Sequence, residues 1–255
     1  MADELLRERR GHLEILTINR PEARNAINLA TATALSDALD EIESNDDIWV
    51  VILTAAGDKA FSAGMDLKEF AEGRTPFTAN GGFGGICSRN FPKPIIAAAA
   101  GSALAGGFEI MLSCDLVVAA DTAYFGIPEV TRGLIAGAGG LIRLPKRIPK
   151  AIALEMALTG DPIDAQRAAE LGIVNRVVPA DSVLDVAVAL AERIAKNAPL
   201  AVRYSKEVLT KAAEMPEQEA WPLTNELFAR AGKTEDAHEG AVAFAEKREP
   251  NWNGR

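Results

Sequence analysis

The hydrophobic pattern of the N-terminal part predicts strands and helices in alternation. Residues 12–19 alternate between apolar and polar side chains, which is typical of a half-buried strand. Asn28 suits the N-cap of a helix that runs to about Ser44, because apolar residues recur there at helical spacing. Residues 49–54 form an unbroken apolar run, the pattern of a strand covered on both faces. This order predicts an α/β fold with parallel strands.

The pattern becomes wholly helical towards the C-terminus. The predicted elements after residue 149 are helices at 150–159 and 164–171, a strand at 173–178, a helix capped by Asp181 that ends near residue 195, and helices at 200–213, 217–231 and 235–247. We therefore predict an α/β core over residues 1–195 and a helical C-terminal subdomain over residues 196–255.

Composition and charge narrow the class of protein. The 255 residues carry a net charge of −9, which disfavours nucleic acid as the main partner, because phosphate binding needs a basic surface. The two cysteines, Cys87 and Cys114, form no disulfide framework, and the charged N-terminus is unlike a secretory signal. No apolar run approaches the ~18 residues of a membrane span. We expect a cytoplasmic protein with no membrane partner.

Several kinds of site are disfavoured by the residues present. The only histidines are His12 and His238, and neither lies near a candidate nucleophile, so a Ser-His-Asp triad is not expected. No cluster of Cys and His predicts a metal, and no Walker A pattern occurs. Residues 72–85 contain five glycines without an apolar period. They predict a flexible loop over a site better than they predict a nucleotide-binding loop.

The segment from Pro94 to Glu129 carries the chemistry. Glu109 lies between large apolar residues just after a glycine turn, and Glu129 follows another apolar segment. Each glutamate alone is compatible with an ordinary surface position. Together they suggest an acid/base pair whose apolar surroundings raise the pKa. The turns at Gly64 and Gly106 allow backbone N–H groups to point at a ligand, although each glycine also suits a simple tight turn.

Three segments resemble the signatures of the enoyl-CoA hydratase/isomerase (crotonase) family. They are FSAGMDLKE at 61–69, ALAGGFE at 103–109, and FGIPE at 125–129 with the glycines of 137–140. The resemblance extends in order over nearly the whole chain. It implies a spiral α/β core of stacked β-β-α units and a helical C-terminal part that packs between subunits. It also implies a homotrimer or a dimer of trimers.

The resemblance also implies roles for individual residues. Backbone N–H groups of Met65 and Gly106 would form an oxyanion hole for the thioester carbonyl of an acyl-CoA, and Glu109 and Glu129 would be the catalytic glutamates of a hydratase. No metal and no cofactor is implied, since CoA is part of the substrate. The residues expected to bind the substrate or its CoA are Arg24, Ala63, Met65, Asp66, Leu67 and Lys68, with Phe244 and Lys247 reaching the CoA nucleotide of a neighbouring subunit.

The third region departs from the pattern frequent in hydratases. Residues 136–144 read AGAGGLIRL, without the proline and the Thr-Gln pair of many relatives, which leaves the acyl group open. The resemblance favours an enoyl-CoA hydratase. The alternatives are a crotonobetainyl-CoA hydratase, an enoyl-CoA isomerase, another acyl-CoA activity of the family such as hydrolysis, or a binding subunit without turnover.

Overall fold

This computed structural model describes residues 3–255, whose regular elements are mainly two larger sheets, a two-stranded hairpin and ten α-helices. The strands are β1 (Leu5–Arg10), β2 (Leu13–Ile18), β3 (Val50–Ala55), β4 (Ala60–Ser62), β5 (Phe77–Thr78), β6 (Gly82–Phe83), β7 (Ile95–Ala99), β8 (Ser102–Leu104), β9 (Leu116–Ala120), β10 (Tyr124–Gly126), β11 (Ile163–Asp164) and β12 (Arg176–Val178). The helices are α1 (Leu29–Ser44), α2 (Leu67–Ala71), α3 (Gly106–Ser113), α4 (Gly140–Arg147), α5 (Lys150–Thr159), α6 (Ala165–Glu170), α7 (Val183–Ala195), α8 (Pro199–Ala212), α9 (Glu217–Ala231) and α10 (Glu235–Glu246).

Successive pairs of strands build the two sheets side by side. The larger sheet has the order β1-β2-β3-β7-β9-β12, and it is parallel except for the β1–β2 hairpin. The smaller sheet has the order β11-β10-β8-β4, in which β4, β8 and β10 are parallel. The pairs β3–β4, β7–β8 and β9–β10 each place their first strand in the larger sheet and their second in the smaller one. This is the predicted crotonase-type spiral, and it is confirmed.

The central strands of the larger sheet are buried on both faces. Strands β3, β7 and β9 consist almost entirely of buried Val, Ile, Leu and Ala. A parallel sheet with helices packed on it produces continuous apolar strands of this kind. The small side chains of β7 let the neighbouring layers approach closely. The spiral therefore holds the turn after β8, and with it the start of α3, in a fixed position.

Most of the predicted helix boundaries are confirmed. The side chain of Asn28 accepts a hydrogen bond from the Thr31 N–H and caps α1, and Asp164 caps α6 in the same way through the Arg167 N–H. From Pro199 to the end of the described chain the regular elements are all helical. The division at residue 195 into two domains stays a prediction.

The prediction that Asp181 caps a helix is wrong. A 3₁₀ turn occupies Ala180–Ser182, and α7 begins at Val183 with no side-chain cap. The Ser182 N–H donates to the Pro179 carbonyl and the Val183 N–H to the Ala180 carbonyl. Since backbone carbonyls already satisfy these donors, the Asp181 carboxylate has no capping position to fill.

Three further predictions need correction. The strand predicted at 173–178 is only Arg176–Val178, because the Ile173 and Val174 N–H groups both donate to Ala168 at the end of α6. The loop predicted at 72–85 includes the β5–β6 hairpin. Strand β1 was not predicted, because five of its six residues are exposed and most are charged, which suits a sheet edge but hides the alternation of a strand.

Within residues 3–255, none of the helices has the length and apolar character needed to cross a bilayer.

Candidate active site

The site forms where two glycine turns meet backbone to backbone. Gly64, just after β4, has φ +91°, and a Cβ added there would lie 2.9 Å from the Ala105 Cβ and 3.0 Å from the Gly106 N. Only glycine fits such a position without displacing its neighbours. The close approach places Met65, the residue after Gly64, beside the N-terminus of α3.

Two backbone N–H groups at this junction are unpaired. The Ile27 N–H donates to the Gly64 carbonyl and the Asp66 N–H donates to the Ile27 carbonyl, so the bonds skip Met65. Among residues 3–255, neither Met65 nor Gly106 donates its backbone N–H to a protein acceptor. Two free donors on adjacent turns can bind one oxygen atom that gains negative charge.

Ala105 holds the second turn in a strained conformation. Its φ of 51° and ψ of −133° lie in a region that favours glycine. The Ala105 N–H donates to the Gly126 carbonyl, and its own carbonyl accepts from Phe108 and Glu109. These bonds hold the strained peptide, whose conformation costs about 1–3 kcal/mol, just before the Gly106 N–H.

Glu109 lies in the first turn of α3 and is only 2% exposed. Its Oε1 accepts hydrogen bonds from the Ala138 N–H at 2.8 Å and the Gly140 N–H at 2.7 Å. Burial raises the pKa of Glu109 above its ordinary value, while the two N–H donors and the charge of Arg143 lower it. The two donors stabilise the carboxylate form, which is the form in which a carboxyl group can act as a base.

Glu129 follows β10 in a 3₁₀ turn and has different surroundings. It is half-buried, and its Oε2 is a buried oxygen with no hydrogen-bond partner among the described residues. Burial raises the pKa of Glu129 to about 7, and the nearby charge of Glu109 adds to the rise. A backbone hydrogen bond of its own residue lowers this pKa, but no donor within residues 3–255 reaches Oε2, so Glu129 holds a proton more readily than Glu109 does. Carboxyl groups in such unequal surroundings divide the roles of acid and base.

The β5–β6 hairpin forms a wall of the site. A Cβ added at Gly106 would lie 2.4 Å from Cζ of Phe83, so the Phe83 ring lies against this turn. Phe77 packs edge-on against Phe83, with 5.6 Å between ring centroids, and is 51% exposed. An aromatic pair therefore stands next to the free N–H groups.

The structure brings the segment 63–68 to this junction together with Arg24. The Ala63 N–H donates to the Arg24 carbonyl, and the Arg24 side chain is exposed. Asp66 caps α2 through the Lys68 and Glu69 N–H groups and pairs with Arg20 at 3.0 Å. The Asp66 carboxylate therefore holds the segment in place, while Ala63, Leu67 and Lys68 are exposed. Their contact with a substrate stays a prediction.

Phe244 and Lys247 are not brought to the other predicted residues. Both lie at the C-terminal end of α10, where Phe244 is 87% exposed. Within residues 3–255, no hydrogen bond or ion pair connects either side chain to the segment 63–68. A contact with the CoA of a neighbouring subunit stays a prediction.

Sequence reasoning missed the groups that hold Glu109. The donors Ala138 and Gly140 act through their backbones, and Arg143 contacts the turn between them. The only signal was the glycine-rich run 137–140, which carried no assigned role. Phe83 was also missed, since residues 72–85 showed no apolar period.

A separate cavity of about 700 Å³ lies between α8 and the larger sheet. Arg147, Lys206 and Asp115 line it, and Lys206 is paired with Asp115 at 2.7 Å. None of the predicted site residues lines this cavity. The unpaired N–H groups and the two glutamates therefore mark the better candidate for the active site.

Comparison with known proteins agrees with this geometry. The family model described as enoyl-CoA hydratase/isomerase matches residues 8–255. The carnitinyl-CoA dehydratase of Escherichia coli K12 is 41% identical, and the match covers 100% of both chains. A solved structure of enoyl-CoA hydratase from Mycobacterium tuberculosis H37Rv superposes with a TM-score of 0.96 at 47% identity, over 99% of this chain and 100% of the other.

A second solved structure bears a more specific name. The carnitinyl-CoA hydratase of Mycobacterium avium has a TM-score of 0.80 at 46% identity, over 100% of both chains. These similarities span the core and the C-terminal helices alike. The chain is thus an enzyme of the crotonase fold and belongs to the enoyl-CoA hydratase/isomerase family.

Proposed function

We propose that this enzyme catalyses the reversible addition of water to a trans-2-enoyl-CoA, giving a 3-hydroxyacyl-CoA. The observation that carries the proposal is a pair of carboxyl groups in unequal surroundings, one buried and one half-buried, beside two free backbone N–H groups. Glu109 is held by two N–H donors, whereas the Glu129 Oε2 has none among the described residues. Hydration needs one base, one acid and an oxyanion hole, and these groups supply all three.

The reaction follows from what each group can do. The thioester oxygen accepts hydrogen bonds from the Met65 and Gly106 N–H groups, which stabilise the enolate as charge develops there. The Glu109 carboxylate takes a proton from water as the water oxygen bonds to C3. The C2–C3 π electrons move towards the thioester, and protonated Glu129 delivers its proton to C2. Transfer of the proton from Glu109 to Glu129 then restores both carboxyl groups, so the net reaction adds one water and the proposal requires no metal and no cofactor.

The direct test is the loss of enoyl-thioester absorbance when crotonyl-CoA is added, with the product identified by mass. We expect a gain of one water. A product of unchanged mass would instead show isomerisation, release of free CoA would show hydrolysis, and no turnover with short, medium or branched enoyl-CoAs would reject the proposal. Glu129→Gln should still bind acyl-CoA while hydration falls by about 10²–10⁴-fold, the usual contribution of a general acid or base.

A second candidate is hydration of crotonobetainyl-CoA, whose acyl group carries a quaternary ammonium. The aromatic pair Phe77–Phe83 beside Gly106 favours it, because aromatic faces attract such cations. Two relatives named for carnitinyl-CoA add support. The test compares kcat/KM for crotonobetainyl-CoA and crotonyl-CoA in the wild type and in Phe77→Leu. A preference for the cationic substrate that Phe77→Leu weakens would support this candidate, and equal ratios in both proteins would reject it.

We also propose that the chain assembles as a trimer or a dimer of trimers. Its C-terminal helices expose large aromatic side chains, namely Trp221 at 55%, Phe228 at 80% and Phe244 at 87%. Exposed apolar surface of this extent is typical of contact surfaces between proteins. Sedimentation velocity gives the mass, and a monomer at micromolar concentration would contradict the proposal. If Phe244 reaches a neighbour's CoA, Phe244→Ala should raise KM and leave kcat near the wild-type value.

A further inference from the structure

Arg143 contacts the turn that holds Glu109. It lies in the first turn of α4, and its guanidinium reaches back, donating from Nη1 to the Ala138 carbonyl at 3.3 Å and from Nη2 to the Cys87 carbonyl at 2.5 Å. A Cβ added at Gly139 would lie 2.0 Å from Nη1. The guanidinium therefore lies directly against the turn 138–140 and connects it to the segment after β6.

The opposite side of the same turn faces the base. The Ala138 and Gly140 N–H groups both donate to Oε1 of Glu109. Gly139 between them has φ +105°, which lets two N–H groups converge on one oxygen. Arg143 thus restrains the turn 138–140 through the Ala138 carbonyl, while two N–H groups of the same turn orient Glu109. A shift of the turn would move both of these N–H donors together.

Arg143 also contributes charge. It is half-buried, and among residues 3–255 no carboxylate lies within ion-pair distance of it. Its charge lowers the pKa of Glu109, whereas Cys87 and Glu129 are the other titratable groups that interact with Glu109. Burial lowers the pKa of Arg147, one turn further along α4, and the charge of Arg143 adds to that lowering. Arg143 is therefore the positive charge that acts on the base.

We propose that Arg143 is a positioning residue for the hydration reaction: it fixes the turn 138–140 so that the turn holds Glu109 as a correctly oriented carboxylate. This inference rests on the proposed function. Arg143 itself does not touch the reacting atoms.

The test is the pH profile of kcat/KM for hydration of crotonyl-CoA in four proteins: wild type, Arg143→Gln, Arg143→Lys and Arg147→Gln. Arg147 is a matched control, because its guanidinium also binds backbone carbonyls, those of Leu112 and Cys114, but at the opposite end of α3. Circular dichroism and thermal unfolding accompany each measurement.

Arg143→Gln should lower kcat by about 10- to 100-fold with KM within about twofold, since misplacing a catalytic group by a small distance costs that much. The acid limb of its profile, where Glu109 must be ionised, should move to higher pH, while the alkaline limb, where Glu129 must be protonated, stays in place. Arg143→Lys keeps the charge but bonds fewer carbonyls, so its acid limb should match the wild type while kcat falls. Arg147→Gln should leave both limbs in place.

An unchanged acid limb and kcat in folded Arg143→Gln would overturn the inference. If that variant does not fold, Arg143→Lys decides: a wild-type kcat there would show that the paired carbonyl bonds are not needed. A wild-type protein without hydratase activity would reject the proposed function itself, which is a separate result.

Discussion

Gly64→Ala is the sharpest test of the oxyanion hole. The added methyl group would lie 2.9 Å from the Ala105 Cβ, 3.0 Å from the Gly106 N and 3.2 Å from the Leu104 carbonyl oxygen. No long flexible side chain is among these neighbours, so the two turns must separate. The separation moves the Met65 and Gly106 N–H groups apart, although the substitution removes neither of them.

The magnitude has two parts. A non-glycine residue at φ +91° costs about 1–2 kcal/mol, and forcing a methyl group into a closed contact costs about 1–3 kcal/mol. Unfolding should therefore require about 2–5 kcal/mol less. Misaligning one donor of an oxyanion hole lowers kcat by about 10²–10³-fold, and we expect that loss for hydration of crotonyl-CoA.

Gly73→Ala is the matched control. Gly73 has φ +81°, but an added Cβ would meet nothing within 4 Å, so it bears the backbone strain without the collision. Urea unfolding and steady-state hydration kinetics should show a loss of about 1–2 kcal/mol in stability and an unchanged kcat for this variant. A wild-type kcat in folded Gly64→Ala would refute the assignment of the two N–H groups.

Three further predictions concern titratable groups. Because burial raises the pKa of Glu129 to about 7, the folded state binds its proton more tightly than the unfolded chain, so its contribution to stability falls as pH rises from about 4.5 to 7. Urea unfolding should show this slope, and Glu129→Gln should remove it. Burial also raises the pKa of Cys87 to about 12 and that of Cys114 as well, so neither should react with a thiol reagent at pH 8 until urea is added. Asp236 is buried and accepts hydrogen bonds from two backbone N–H groups of the tail 251–255. Asp236→Ala should lower the free energy of unfolding by about 1–3 kcal/mol and let carboxypeptidase shorten the tail, which mass spectrometry detects. A tail that stays intact in this variant would contradict the prediction.

The sequence predicted those parts of the fold and site that depend on side-chain type. The apolar run at 49–54 and the cap at Asn28 identified β3 and α1, because burial and capping select particular residues. Glu109 and Glu129 stood out because their flanks are apolar. In the structure the Glu109 side chain is buried, and Glu129 has a buried Oε2. Their catalytic roles stay predictions.

The remaining features depend on backbone geometry or on contacts between distant segments, which residue type does not reveal. Ala105 adopts a positive φ that alanine disfavours, so no rule of propensity points to it. The donors at Ala138 and Gly140 are peptide N–H groups that every residue other than proline possesses. The pairing of Arg20 with Asp66 connects residues 46 positions apart, and no local pattern indicates it.

The arrangement of the site has a consequence for the order of events during synthesis and refolding. Gly64, Gly106 and Gly140 belong to three separate segments, and the parallel strands that align them pair across long stretches of chain. Closing such stretches is slow compared with forming helices. A nascent chain that ends before Ala138 lacks both donors to Glu109. Recovery of catalysis after dilution from denaturant should therefore lag behind recovery of helical circular dichroism, making turnover a reporter of the last sheet contacts to form.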